Sequence, residues 1–216
     1  MTQYDICIFV ETKLTDLDIL SLPDGYLYEM KNRKKYKRAS GGIIIIYKTY
    51  LQNDIKFHIT ESQFVLWFTI SKKLLNANSD ILFGCVYVPP ENSVYSSKEA
   101  FEELENEMIN LLKSKNRFIS LIGDFNAKTS ALPDFVIPDE SVVDLFNLDT
   151  DCDIIDFLYD YVKLPQQGIS LDRVTKCSCR PNNYGHKLLD LCKKNNLYIA
   201  NSRIGWTRQK HRCTNM

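Results

Sequence analysis

Leu121-Ile122-Gly123-Asp124-Phe125-Asn126-Ala127 closes an apolar run, Arg117 to Ile122, that reads as a β-strand. A strand that delivers Gly-Asp-x-Asn into a loop puts a carboxylate and a carboxamide at the carboxyl edge of a sheet, where α/β proteins build their sites. Asp124 and Asn126 are two apart, so on extended backbone they project from the same side. One is then able to accept a proton or hold a metal while the other donates hydrogen bonds to a phosphoryl oxygen. The same residues also fit an Asx turn that only closes the strand.

Further runs of β-branched and aromatic residues read as strands at Tyr4 to Val10, Ile43 to Lys48, Gln63 to Ile70 and Ile81 to Val88. Most have the composition of strands buried on both faces. Between the strand Ile81 to Val88 and the strand Arg117 to Ile122, Ser96 and Glu99 have the spacing of a capping box, and Phe101, Leu104, Met108, Leu111 and Leu112 recur on one helical face. A second helix is expected from Tyr184 to Asn195, ahead of the short apolar segment Leu197 to Ala200. Strands interleaved with helices predict an α/β layered domain. Residues 131–167 have no clean period and read as an acidic insertion, with a short helix near Ile154 to Tyr161.

Two other strand exits carry chemistry. The first strand ends in Glu11-Thr12, a second carboxylate at a strand end, and the strand from Ile81 runs into Tyr87-Val88-Pro89-Pro90, where two prolines stiffen the exit. Taken alone, Glu11 is an ordinary surface residue and Tyr87 a core or rim aromatic. Together, Glu11 and Asp124 are enough protein for a magnesium ion, which takes one or two carboxylates plus phosphate and water.

Composition narrows the class. With 216 residues, 44% hydrophobic and 25% charged, the chain is globular and is read as a single domain over 1–216. Seven cysteines and no secretory signal point to reduced thiols inside the cell, nuclear or cytoplasmic. Apolar runs such as Ile43 to Tyr47 are far shorter than the ~18 residues of a membrane span. Lys plus Arg and Asp plus Glu both total 27, so attraction to a polyanion must come from local placement. Arg33, Lys34, Lys35, Lys37 and Arg38 form such a block, a candidate for contacts to nucleic-acid phosphates, although solvated surface is the plainer reading.

Cys7 to Thr12 (C-I-F-V-E-T), Gly41-Gly42-Ile43-Ile44-Ile45, Gly84 to Pro90, Gly123-Asp124-Phe125-Asn126 and Leu188 to Cys192 occur in an order that resembles the endonuclease/exonuclease/phosphatase superfamily. The nearest likeness is to the endonuclease domains of non-LTR (LINE-type) retrotransposons, over most of the chain. The resemblance implies a four-layered α/β sandwich of two packed sheets flanked by helices, and Mg2+-dependent cleavage of a DNA phosphodiester, with Mn2+ as a substitute. By motif, Glu11 resembles the metal-binding glutamate, shared with Asp124 as the second carboxylate. Tyr87 resembles the tyrosine on the scissile phosphate, and Asp124 with Asn126 the pair that positions the attacking water and the phosphoryl group. The family also has an asparagine on a strand before Glu11 and a closing Ser-Asp-His motif, neither of which matches here. The resemblance therefore implies the middle of a domain, inactive alone, from a longer parent chain with a reverse transcriptase.

Other functions remain as alternatives: an inactive or nucleic-acid-binding form of the fold, and a phosphatase of the superfamily acting on a small phosphoester. Zinc ligation by Cys177, Cys179, His186 and Cys192 lacks the paired C-x2-C spacing. Asp149-x-Asp151-x-Asp153 has Ile154 where a calcium loop needs glycine. The cluster Trp206 to Arg212 reads equally as a stacking surface for nucleic acid or as a turn.

Overall fold

The computed structural model describes residues 3–33, 40–113, 118–139, 141, 153–174, 179–201, 203 and 204. The chain divides into two compact units, 1–126 and 127–216. In the first unit a three-stranded antiparallel sheet takes the order β1 (Ile6–Val10), β3 (Ile43–Lys48), β2 (Tyr26–Lys31). A four-stranded sheet follows the order β4 (Ile55–His58), β5 (Val65–Ile70), β6 (Ile81–Tyr87), β7 (Phe118–Asp124). β4, β5 and β6 pair antiparallel, while β6 and β7 are parallel.

The sheets face each other across one core. Alternate residues of β3 (Ile43, Ile45, Tyr47) meet Leu66, Phe68 and Ile70 of β5 and Cys85 and Tyr87 of β6. The two-residue period of a strand puts those side chains on one face. Phe68 stacks on Phe83 at 5.1 Å and lies 5.8 Å from Phe57, which extends the core to β4.

Parallel β6 and β7 need a crossover, and the helix α2 (Ala100–Leu112) lies within it, after the single turn α1 (Lys72–Leu75). Ala100, Phe101, Leu104 and Met108 are its buried stripe. Glu107 fastens it to the larger sheet: its carboxylate accepts from the Trp67 indole at 2.8 Å and from the Ser62 amide at 2.7 Å. The expected capping box does not form. Glu99 itself is the N-cap, in helical φ/ψ with no side-chain cap bond, while the Ser97 hydroxyl accepts from its amide at 3.2 Å. Ser96 falls too early to reach the first turn.

The second unit holds the short helices α3 (Asp153–Leu158) and α4 (Lys163–Gln166) and the longer α5 (Asn183–Asn195). Asn182 caps α5 by accepting from Gly185 at 2.8 Å, and Asn196 ends it in the left-handed conformation. Asp134, within the stretch read as an acidic insertion, is fully buried. It accepts two bonds from the Arg203 guanidinium, each at 2.7 Å, and one from the Ile199 amide at 2.6 Å. Three donors offset the cost of taking that carboxylate out of water.

The chain is thus an α/β protein with two sheets, of three and four strands, and helices. Among the described residues, no helix is long and apolar enough to cross a membrane.

Candidate active site

Strand exits meet at one rim. β6 and β7 run in register with Tyr87 opposite Asp124, so both deliver their last residues to the same edge. The Tyr87 ring is part of the inter-sheet core and only 7% exposed, and its phenol lies within reach of the charge of Glu11, the residue after β1. Burial pushes the Tyr87 phenol up to about 12; the nearby charges of Glu11 and Asp124 add to the rise, and Arg33 opposes it. At neutral pH the phenol keeps its proton and remains a hydrogen-bond donor.

The backbone is strained where these residues stand. Glu11 has φ 58°, Lys13 58° and Asn126 47°, all in the left-handed region that disfavours a side chain with a Cβ. The chain after β1 is held there by Lys13 N donating to Gly41 O at 2.7 Å and Thr12 N to Gly42 O at 3.4 Å. Gly123, at φ 137°, must be glycine: a Cβ would lie 2.0 Å from the Val86 carbonyl oxygen.

Asp124 and Asn126 lock the exits of β6 and β7. Asp124 Oδ1 accepts from Asn126 N at 2.8 Å, which is the Asx turn. Asn126 Nδ2 donates to Val88 O at 2.8 Å, and Val88 N donates to Asp124 O at 2.9 Å. The Asx turn is thus what closes the strand, and Asn126, at φ 47°, is not on the extended backbone from which the two side chains were expected to project together.

Two exposed carboxylates beside a phenol are of the type that could hold a hard divalent cation keeping water and substrate oxygens in its shell. Among the described residues, no group of three or more His, Cys, Asp and Glu could hold a metal. Of the weighed zinc ligands, Cys192 is buried in α5 with its thiol pushed up to about 12, and Cys177 is outside the described residues.

Of the basic block, Lys34, Lys35, Lys37 and Arg38 are outside the described residues, as is the Trp206 to Arg212 cluster. Arg33 is described, and it is turned inward. Its guanidinium carbon lies 5.2 Å from the Phe64 ring centroid and 5.4 Å from that of Tyr95. Phe64 and Tyr95 had no sequence signal beyond being aromatic.

No protein-family model matches the chain, and no curated protein matches it. Among solved structures, it is similar to the AP endonuclease LMAP from Leishmania major at 17% identity and a TM-score of 0.47. That likeness covers 59% of this chain and 47% of the other, so the chain spans about half the length of the structure it matches.

Proposed function

We propose that the chain carries the metal-binding and phosphate-contacting rim of a metal-dependent phosphodiesterase that acts on DNA, of the kind found in non-LTR retrotransposons. The observation that supports this most directly is the meeting of strand exits at one rim: Tyr87 pairs in register with Asp124, and the charges of Glu11 and Asp124 both act on its phenol. Glu11 and Asp124 would hold Mg2+ or Mn2+, which when bound neutralises charge on phosphoryl oxygens. Tyr87 stays protonated and offers a hydrogen-bond donor to an anionic oxygen at the same rim. Asp124 and Asn126 keep the exits of β6 and β7 at fixed spacing, so little reorganisation is needed as substrate arrives. Lys34, Lys35, Lys37 and Arg38 supply sequence-independent contacts to backbone phosphates. The free thiols of Cys7, Cys85, Cys179 and Cys192 fit an intracellular setting, nuclear or cytoplasmic.

Mn2+ binding, read by water-proton relaxation, tests the site independently of turnover. Wild type is expected to bind one ion, and Glu11→Gln and Asp124→Asn are each expected to weaken it by at least tenfold with an unchanged circular dichroism spectrum. Equal binding in the variants would remove these carboxylates from the site. Mg2+-dependent nicking of supercoiled plasmid then separates an active phosphodiesterase from a binding form of the fold.

A further inference from the structure

Arg33 belongs by sequence to the basic block read as a phosphate contact, yet its side chain is turned inward. It follows β2 by two residues, and its side chain is half-buried. Nη2 donates to the Tyr95 carbonyl oxygen at 2.5 Å, and the guanidinium is within cation–π range of Phe64 and Tyr95. Gly41, at φ +68°, leaves the room this needs: a Cβ there would come within 3.2 Å of both Arg33 Cδ and Tyr87 Cε1. The arginine stem and the Tyr87 ring thus share one gap beneath Gly41.

These contacts join three segments. Phe64 opens the approach to β5 and accepts from Tyr87 N through its carbonyl at 2.8 Å. Tyr95 belongs to the loop between β6 and α2, whose turns are closed by Ser93 N to Pro90 O and Ser96 N to Ser93 O, both at 3.0 Å. That loop leaves directly from Tyr87, Val88 and Pro89. Holding its far end at Tyr95 fixes how the chain exits beside the Tyr87 hydroxyl.

We infer that Arg33 is a positioning residue: it clamps the 89–96 loop onto the rim of Tyr87, Glu11 and Asp124 through the Tyr95 carbonyl and the two rings, and does not contact nucleic-acid phosphate. Its consequence for catalysis rests on the phosphodiesterase reading, while the clamp itself does not. A planar guanidinium is required, since lysine offers neither the fork that reaches a carbonyl nor a face that stacks between rings.

Amide hydrogen exchange by mass spectrometry tests this on the full chain without any substrate. In Arg33→Gln and Arg33→Lys, amides of residues 91–96 are expected to exchange at least tenfold faster than in wild type, with β3 and β5 unchanged. Wild-type protection of the loop in either variant, or equal loosening of β3 and β5, overturns the clamp. Should Arg33→Gln fail to fold, Tyr95→Leu, which removes one ring and leaves the cation, is expected to loosen the same loop alone; a wild-type pattern there overturns it too. In a DNA-binding titration the salt slope of Arg33→Gln is expected to equal that of wild type, whereas a fall of about one unit makes Arg33 a phosphate contact and overturns the assignment. Failure of wild type to bind metal or DNA would sink the functional reading and leave the exchange experiment to decide the clamp.

Discussion

At Glu11 and Lys13 two residues of the same backbone conformation, φ 58° in each, differ in what their side chains do. Lys13 is well exposed and pairs with Glu11 at 3.7 Å, an interaction that solvent screening makes nearly worthless. Glu11 instead carries its charge beside the Tyr87 phenol. The strain of a Cβ in the left-handed region is about 1 kcal/mol, so Lys13→Gly is expected to stabilise the protein by about that amount. Glu11→Gly relieves the same strain, so a similar gain is expected, with its Mn2+ site lost. Urea melts with equal m-values check the pair. A loss from either variant would mean that the turn has no strain to relieve.

Elements differ in how far their residues announce them. β3 is observed over the Ile43 to Lys48 run read from sequence, because four successive isoleucines buried on both faces leave no other assignment. β2 and β4 were not expected. β2 alternates Glu29 and Lys31 with aromatic and aliphatic residues at a sheet edge, and β4 has four residues including Lys56 and His58, so both are made strands by their partners β3 and β5 rather than by composition. The candidate rim was legible as strand ends, because Glu11, Tyr87 and Asp124 each close or follow an apolar run. The clamp was not, because Arg33, Phe64 and Tyr95 are brought together only by tertiary packing. In β6, Cys85 is fully buried, and burial pushes its thiol from 9.0 to about 12. A folded pKa above the unfolded value means that the folded state holds the proton more tightly, so this contribution is intact below pH 9 and is lost as pH rises from 9 through 12. Guanidinium melts are expected to show stability falling between pH 8 and 10.5. Cys85→Ala is expected to start about 1–2 kcal/mol lower at neutral pH and to fall less over the same interval, leaving a residual slope from Tyr87. Parallel curves for the two proteins would remove Cys85 as the cause.

Over the whole molecule, charge is balanced in sum and concentrated in place. In the second unit, Arg173 and Arg203 are both buried beside the single carboxylate of Asp134. Asp134→Ala leaves the Arg203 guanidinium without its partner and is expected to cost about 3–5 kcal/mol, read by thermal unfolding. A loss within 1 kcal/mol would mean that water or another acceptor replaces the aspartate.

The same balance governs any encounter with nucleic acid. A formal net charge of zero gives the protein no general attraction to a polyanion, so DNA affinity has to come from a local cluster such as Lys34, Lys35, Lys37 and Arg38. Each lysine that touches a phosphate releases close to one condensed counterion, so the double variant Lys34→Ala/Lys35→Ala is expected to flatten the log–log salt dependence of binding by about two units. Its net charge becomes −2, from 25 basic against 27 acidic residues, a change too small and too diffuse to alter the slope by itself. Weaker binding with an unchanged slope would therefore signal general repulsion, and would take the two lysines out of the interface.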